Sequence, residues 1–576
     1  MNAHDFLFLF LFLFMFILFI LSYPLGNFIF KVMNGEKTFL HYFLLPIEKR
    51  IYKIAKIDSD ESQSWQKYSL DIIIFSAFLF ALTFFILKFQ HIFPLNPQNF
   101  PGLPTDLAFN TAVSFLTNTN WQAYSGETTM SYFSQMVALS SNNFLSAAIG
   151  LAACIAIIRG LVQEKSVGLG CFWVDLCRST LYILLPLSLI FAIFYISQGI
   201  IQNFLAYIHV KTLEGVEQIL PQGPVASQVA IKLLGVNGGG FFNANAAHPY
   251  ENPTALSHFF QMISIFLIPS ALVFTFGKMA NYMKHAFAIW ISMTILFLAS
   301  AILVAYFEYQ GNPNFIDTLG LSSSINMEGK EARFGIFSSS LFTSVTTAAS
   351  CGAVANSHSS LTPLGGMFAL INMLLNEVIF GGVGSGLYGM ILFIILAVFI
   401  AGLMIGRTPE YLGKKIEERD IKIAIIPVIS VSFVILVLLA ISSMVQSGFS
   451  SIGNPGPHGF TEMLYAYTSS AQNNGSAFGS LNANTPFWNY TTSIAMLAGR
   501  YLNLIPLLAI AGSLIQKKKK PITENSFKID GFLFISLLIG TILILGLLVY
   551  LPSLSLGPIM EYLQMTNGKI IEIGGK

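Results

Sequence analysis

Apolar and polar segments alternate along this chain on the length scale of a membrane crossing. Ten apolar runs are separated by polar loops, and most approach or exceed the roughly 20 residues that a helix needs to span a bilayer. The runs lie at about 6–21, 69–90, 133–158, 179–200, 257–277, 285–307, 368–405, 423–445, 490–515 and 531–552. We therefore predict an all-α membrane protein with about ten transmembrane helices. The first run lacks the basic start and small-residue cleavage site of a signal peptide, so we expect a retained helix.

The polar loops between these runs differ in positive charge. Five alternate loops carry 22 of the chain's 30 Lys and Arg residues. Cytoplasmic loops are enriched in Lys and Arg, which predicts that these five loops are cytoplasmic and that both termini lie outside.

The four remaining long loops each contain a short, moderately apolar segment followed by a polar cluster. The clusters are Thr117–Asn120, Gly235–Gly238, Ala349–Gly352 and Gln472–Gly475. Their last residues are separated by 118, 114 and 123 residues, so the pattern is an internal repeat. Each unit is interpreted as a span, a half-helix, a polar turn and a second span. The predicted pore repeats are 69–158, 179–277, 285–405 and 423–515, with extra helices at 1–30 and 531–552.

Four such units around one pseudo-fourfold pore would form a selectivity filter. A half-helix that ends within the membrane directs the negative end of its dipole at the centre, and the turn after it exposes carbonyl oxygens that can replace the hydration shell of a cation. The clusters contain neither Asp nor Glu, which favours K⁺ over a divalent cation. Only three clusters end in glycine. The predicted K⁺ filter residues are Asn118, Thr119, Asn120, Val236, Asn237, Gly238, Ser350, Cys351, Gly352, Asn473, Asn474 and Gly475.

The apolar run 368–405 is too long for one simple helix and is interrupted by the glycine-rich segment Gly381–Gly386. We predict that the helix unwinds there and forms a gating loop that includes Gly382 and Gly384. Glu377, just before this segment, is expected either to hold K⁺ leaving the filter or to pair with a cation such as Arg407. Arg407 could equally mark a helix end.

The same segment contains a GxGxxG pattern at Gly384, Gly386 and Gly389. The pattern lacks the strand and acidic partner of a dinucleotide site, so nucleotide binding is not favoured and close helix packing is the alternative.

Composition and the positions of a few single residues add to this picture. Only 10% of the residues are charged, against about 25% in a soluble domain, and the net charge of +2 gives no indication of nucleic-acid binding. Lys232 lies inside the second half-helix, where a charge is either functional or extends to the membrane surface. Of the four cysteines, Cys154, Cys171 and Cys177 are expected to be reduced, and Cys351 to contribute its backbone to the filter.

Several long motifs resemble one known family. The motifs are Leu-Thr-Asn-Thr-Asn-Trp-Gln (116–122), Gly-Val-Asn-Gly-Gly-Gly-Phe-Phe-Asn-Ala-Asn-Ala-Ala-His-Pro-Tyr-Glu-Asn-Pro (235–253), Ser-Cys-Gly-Ala-Val (350–354), Gly-Arg-Thr-Pro-Glu-Tyr-Leu-Gly-Lys-Lys-Ile-Glu (406–417) and Ser-Ala-Gln-Asn-Asn-Gly-Ser-Ala-Phe (470–478). They closely resemble the potassium-binding subunits of bacterial Kdp potassium-transporting ATPases, which are similar to the Trk/Ktr/HKT potassium transporters.

The resemblance implies that the chain captures periplasmic K⁺ at the inner membrane and passes it through an intramembrane tunnel. It also implies three protein partners: a P-type ATPase catalytic subunit (KdpB-like), a periplasm-facing auxiliary subunit (KdpC-like) and a small single-span membrane subunit (KdpF-like). The chain contains no Asp-Lys-Thr-Gly phosphorylation motif and no Walker A motif, so we expect it to bind no ATP and to have no catalytic site.

Two other classes of protein make different predictions. A stand-alone, gradient-driven potassium channel of the Trk/Ktr type would have eight spans and lack the 406–417 motif. A membrane-embedded enzyme or quinone-site subunit would need metal ligands or paired carboxylates within the spans, and His248 and His358 have no such companions.

Overall fold

A computed structural model of the chain describes residues 3–166, 168–312, 325–406, 408–520 and 527–567. Arg407 therefore lies outside the described residues, and its predicted pairing with Glu377 stays a prediction. Nearly all regular structure in the described part is helical. The helices are α1 (Ala3–Met33), α2 (His41–Ala55), α3 (Trp65–Lys88), α4 (Thr105–Leu116), α5 (Gly126–Thr129), α6 (Ser141–Val162), α7 (Phe172–Arg178), α8 (Leu185–Ser197), α9 (Val225–Leu234), α10 (Ala255–Met279), α11 (Met283–Gln310), α12 (Gly335–Ala348), α13 (Pro363–Leu374), α14 (Ser385–Ile405), α15 (Glu418–Met444), α16 (Gln446–Phe449), α17 (Gly456–Ala471), α18 (Pro486–Ile515), α19 (Phe532–Leu547), α20 (Leu551–Leu554) and α21 (Met560–Thr566).

The prediction of ten membrane-crossing helices is confirmed for the described residues. The ten stretches of sufficient length and hydropathy are Leu7–Met33, Trp65–Lys88, Ser134–Val162, Phe172–Ser197, Ala255–Met279, Met283–Gln310, Ser385–Ile405, Glu418–Met444, Pro486–Ile515 and Phe532–Thr566. Three of them contain π-helical segments, at Ser134–Ser140, Ser179–Leu184 and Ser555–Ile559.

Central and peripheral spans differ in burial. In Ser134–Val162 and Ala255–Met279, 89% of the most apolar window is buried inside the protein, against 33% in Leu7–Met33 and Trp65–Lys88. A small residue allows a peripheral span to pack closely on a central one: a methyl group at Gly26 of α1 would lie 2.5 Å from the carbonyl oxygen of Ala271 in α10. The exposed apolar faces of the peripheral spans are suited to contact lipid.

Several local features differ from the sequence prediction. Helix α1 continues past the apolar run 6–21 and through Pro24 to Met33, close to the end of the predicted helix 1–30. The basic loop after it contains the amphipathic helix α2. Two short antiparallel hairpins were not predicted: β1 (Ile208–Lys211) pairs with β2 (Glu217–Leu220), and β3 (Glu410–Tyr411) pairs with β4 (Lys414–Lys415).

The long apolar run 368–405 is divided between two helices. Helix α13 ends at Leu374 and α14 begins at Ser385, with a break of irregular backbone between them. Asn376, Glu377 and Phe380 in this break have positive φ angles of 64°, 49° and 47°. Such non-glycine conformations persist only where the surrounding structure holds them, and they are concentrated at functional sites.

The five basic loops meet at one face of the molecule. Four contacts connect them in series: Arg178 Nε to Glu48 Oε1 at 3.1 Å, Lys414 Nζ to Gly160 O at 2.9 Å, Lys517 Nζ to Asp420 Oδ2 at 2.6 Å, and His285 Nδ1 to Ile529 O at 2.7 Å. At the other ends of the spans, segments that flank the half-helices contact one another: Tyr132, after α4, donates to Leu205 O, before α9, at 2.7 Å, and Arg333, before α12, donates to Ala247 O, after α9, at 2.7 Å.

Candidate ion-binding site

Four half-helices, α4, α9, α12 and α17, end in the same backbone geometry. We call the four-residue segments after them turn 1 (117–120), turn 2 (235–238), turn 3 (349–352) and turn 4 (472–475). In each turn the third residue donates its N–H to the carbonyl five residues earlier, and the second residue has positive φ. This is the Schellman ending of a helix. The bonds are Thr119 to Ser114 (3.0 Å), Asn237 to Lys232 (2.8 Å), Cys351 to Thr346 (3.2 Å) and Asn474 to Ser469 (2.8 Å), and the φ angles are 67° (Asn118), 52° (Val236), 59° (Ser350) and 60° (Asn473).

Val236 is the least expected of these second residues. A β-branched side chain is a conformational outlier at positive φ. The surrounding structure holds the residue: Val236 is fully buried, and its carbonyl accepts a hydrogen bond of 3.2 Å from Asn118 Nδ2. The valine therefore adopts a strained conformation in a turn that its neighbours fix.

The four turns contact one another in a closed ring. Each turn is joined to the next by at least one hydrogen bond, and turn 4 is joined back to turn 1. The four contacts are Asn118 Nδ2 to Val236 O (3.2 Å), Gly352 N to Asn237 O (3.2 Å), Ser350 Oγ to Asn473 O (3.0 Å) and Asn473 Nδ2 to Thr119 Oγ1 (2.9 Å). Segments more than a hundred residues apart in sequence thus come together, and all twelve predicted filter residues belong to this ring.

Two of the glycines are required by their surroundings. Gly238 has φ of 86°, and a methyl group there would lie 2.1 Å from Gly352 N. Gly475 has φ of 97°, and a methyl group there would lie 1.9 Å from Thr119 O. Both distances are far below van der Waals contact. These glycines allow one turn to pack directly on the backbone of the next.

The electrostatic character of the ring follows from its construction. Four helix C-termini end at the ring, and each carries partial negative charge. The ring itself contains hydroxyl, amide and carbonyl oxygens and no ionised side chain. Such a site can hold a monovalent cation without the carboxylates that a divalent site uses.

Four acidic residues in the half-helices or in the loops after the turns have protein partners. Glu251 is fully buried and paired with Lys232, and Glu462 is fully buried and accepts Gly453 N at 2.8 Å. Glu127 accepts Asn243 N at 2.9 Å, and burial raises the pKa of its carboxyl. Asp106 accepts Asn489 Nδ2 at 2.9 Å. These carboxylates hold loops and helices in place.

The break between α13 and α14 lies against the ring. A methyl group at Gly382 would lie 3.2 Å from Cβ of Ser350, in turn 3. Glu377 is buried with its carboxyl group near the side chains of Ser350 and Asn474, and its Oε1 has no hydrogen-bond partner among the described residues. Gly384 has φ of 89° and packs against Gly150 O. Glu377 and Gly382 therefore lie beside the ring, and Gly384 lies in the same break, against α6.

Sequence reasoning missed Arg500. This arginine is buried in α18, and its Nη2 donates to Ser146 O at 2.9 Å. Ser146 in turn donates to Asn118 Oδ1 at 2.8 Å, so one residue connects Arg500 to turn 1. The available signal was a single Arg within the apolar run 490–515, since charges inside membrane spans are rare.

The fold is shared with a known potassium transporter. The structure of the potassium transporter TrkH from Vibrio parahaemolyticus aligns with a TM-score of 0.51 at 14% identity, covering 78% of this chain and 86% of that chain. At this identity the match concerns the fold alone.

The sequence comparisons then give the family. The family model described as "Potassium-transporting ATPase A subunit" matches residues 12–563. The chain is 55% identical over 554 residues to the potassium-transporting ATPase potassium-binding subunit of Solibacter usitatus, covering 96% of this chain and 97% of that protein. It is 51% identical over 552 residues to the same subunit of Escherichia coli, covering 95% and 98%. The chain belongs to this family, as its motifs predicted.

Proposed function

We propose that the ring of turns 1 to 4 is a selectivity filter that binds K⁺. The observation that carries the proposal is the closed ring itself, formed where four half-helices end and lined by uncharged oxygen donors. The predicted pore repeats, 69–158, 179–277, 285–405 and 423–515, each contribute one quarter. Carbonyl and hydroxyl oxygens replace the water around the ion, and the helix dipoles offset part of its positive charge.

An ion leaving the filter next meets the break between α13 and α14. Oε1 of Glu377, which has no hydrogen-bond partner among the described residues, is available as an oxygen ligand for K⁺ at this point. Gly382 and Gly384 let the break change conformation and act as a gate. Arg500, held by Ser146 O, lies close to Gly150, on which Val383 of the break packs, and its fixed positive charge opposes free passage of cations. A filter with a blocked onward path would bind an ion and transfer it sideways through a tunnel instead of conducting it.

The chain works as one subunit of a high-affinity, ATP-driven uptake complex in the bacterial inner membrane. Its basic face is cytoplasmic, in accord with the positive-inside rule, and its half-helices begin on the periplasmic side together with both termini. A P-type ATPase partner receives K⁺ through the tunnel and hydrolyses ATP, so this chain needs no catalytic site. An auxiliary subunit facing the periplasm and a small single-span subunit complete the complex, surrounded by membrane lipid.

The direct test is to purify the protein with its native partners and measure ATPase activity while K⁺ is varied. We expect a co-purifying ATPase whose activity rises and saturates with K⁺. Gly238→Ala should raise the K⁺ concentration needed for half-maximal activity, because a methyl group there would collide with turn 3. A preparation without an ATPase would refute the assignment to a complex, and an unchanged K⁺ dependence in the variant would refute the role of Gly238.

The gate is tested separately, by shortening Gly381–Gly386. We expect altered K⁺ leak or transport rate in reconstituted vesicles while the filter still binds K⁺. Unchanged transport would refute a gating role for the break.

A further inference from the structure

One position distinguishes turn 2 from the other quarters. The residue that accepts the Schellman hydrogen bond is Ser114, Thr346 or Ser469 in three half-helices and Lys232 in α9. Each of the three hydroxyls also bonds to the backbone at or just beyond its own turn. Ser114 Oγ donates to Trp121 O at 2.8 Å, Thr346 Oγ1 donates to Cys351 O, and Ser469 Oγ accepts Gly475 N at 2.9 Å. A side-chain strut therefore supports the far end of turns 1, 3 and 4.

Lys232 provides this support to turn 2 through an intermediary. Its Nζ donates to Asn245 Oδ1 at 2.8 Å, and Asn245 Nδ2 donates to Gly238 O at 2.6 Å. The ammonium also pairs with Glu251 Oε2, while Glu251 Oε1 accepts Phe242 N at 2.9 Å. The side chain thus fixes the carbonyl that ends turn 2 and the loop that follows.

The supported carbonyl belongs to the residue that joins turn 2 to turn 3. Gly238 packs on the backbone of Gly352, whose N–H donates to Asn237 O at 3.2 Å. A displacement of Gly238 would therefore change the separation of these two turns. Ion discrimination in such a ring depends on the spacing and number of its oxygen ligands.

The charges of this strut are balanced. The side chains of Lys232 and Glu251 are both 0% exposed. A buried pair of this kind is weak evidence for stability, whereas removal of one partner leaves an uncompensated charge. An unpaired lysine here would oppose a cation in the ring.

We infer that Lys232 is a positioning residue that sets the ion discrimination of the filter, acting through Asn245 on Gly238 with Glu251 as its counter-charge. The inference rests on the proposed function of the ring. It assigns to turn 2 a strut that three hydroxyl side chains provide in the other quarters.

The chain offers a matched control in a second buried pair. Lys330 Nζ lies 2.6 Å from Glu308 Oε2, and both side chains are 0% exposed. Glu308 Oε1 accepts Thr362 N at 2.7 Å, so this pair fastens an outer loop to the start of α13. Within the described residues, neither side chain has a hydrogen bond to turns 1 to 4. Lys330→Met removes a buried ammonium of the same kind away from the filter.

The experiment measures ATPase activity of the purified complex against K⁺ and against Rb⁺, for wild type, Lys232→Met, Asn245→Ala and Lys330→Met. We expect Lys232→Met to raise the half-saturating K⁺ concentration about tenfold or more, equivalent to about 1.4 kcal/mol. We also expect the ratio of half-saturating Rb⁺ to K⁺ to fall at least about threefold, a result that simple loss of stability would not produce. Lys330→Met should leave that ratio at the wild-type value.

Asn245→Ala keeps the ion pair and removes its connection to Gly238. This variant therefore tests the inference if the Lys232→Met complex does not assemble. A lowered ratio in this variant supports the inference. A wild-type ratio in every assembled Lys232 and Asn245 variant would overturn it. A wild-type complex whose activity does not saturate with K⁺ would instead refute the proposed function of the ring.

Discussion

Turns 3 and 4 end in the same residue type, and the glycine serves a different purpose in each. Gly475 in turn 4 has φ of 97°, and a methyl group there would lie 1.9 Å from Thr119 O. Gly352 in turn 3 has a φ outside the left-handed region. A methyl group there would have its nearest contact at 3.1 Å, with the carbonyl carbon of Gly475. Turn 4 thus needs glycine for both conformation and space, and turn 3 needs it for space alone. A pseudo-fourfold ring in one chain can use chemically similar quarters in unequal ways.

The largest expected effect comes from Gly475→Ala. The substitution forces a methyl group against the carbonyl of turn 1 and adds the cost of a non-glycine residue at positive φ, about 1 to 3 kcal/mol for the conformation alone. We expect the half-saturating K⁺ concentration of the complex's ATPase to rise about 100-fold or more.

The matched control for this variant is Gly215→Ala, in the loop between β1 and β2. Gly215 has φ of 81°, with no atom close enough to meet an added methyl group. It carries the same conformational cost without the collision, away from the ring. Equal K⁺ dependence in the two variants would contradict the account.

Gly352→Ala should have an intermediate effect. The residue needs no left-handed conformation, and a displacement of a few tenths of an ångström would relieve the contact with turn 4. We expect the half-saturating K⁺ concentration to rise about three- to tenfold. An effect as large as that of Gly475→Ala would show that turns 3 and 4 are equivalent after all.

Asn120→Gly should change ion binding least among the turn variants. Asn120 occupies the corresponding last position of turn 1 with φ of 56°, and glycine adopts this conformation without strain. The variant loses the bond from Asn120 Nδ2 to Asn143 Oδ1, which measures 2.6 Å and is worth about 1 kcal/mol. We expect at most about a threefold change in K⁺ dependence, measured by the same titration.

Lys414, at the face where the basic loops meet, allows an effect on stability to be separated from an effect on ion binding. Burial, aided by the nearby Lys519 ammonium, lowers the pKa of Lys414 to about 8. Because the unfolded chain holds this proton up to a higher pH, the stability contributed by Lys414 rises as the pH increases from about 8 toward 10. Over that pH range, the thermal unfolding temperature of the wild-type complex should rise progressively relative to that of Lys414→Met. Their Rb⁺-to-K⁺ ratios should remain equal, and a change in this ratio would contradict the separation.

The sequence predicted the spans and the turns because each leaves a local signature. Membrane helices are long apolar runs, and the turns stand out as Gly and Asn clusters at a period near 118 residues. The broken helix was also visible, since residues 368–405 are too long for one helix and contain several glycines.

The remaining features depend on partners that are distant in sequence or locally unmarked. Nothing near Lys232 indicates that Glu251 will pair with it from the loop after the turn. Gly352 packs against turn 4 without a positive φ, and no local pattern distinguishes it from Gly238 or Gly475. The sequence shows Arg500 as a charge within an apolar run. It does not indicate the hydrogen-bond partner Ser146, which belongs to a span more than 350 residues away.

The central claim is that turns 1 to 4 enclose the ion. Crystals of the complex grown with Rb⁺ in place of K⁺ would locate the bound ion by anomalous diffraction. We expect a strong peak surrounded by backbone oxygens of the four turns, absent or much weaker in Gly475→Ala. A peak elsewhere in the chain, with an empty ring in the wild type, would contradict it.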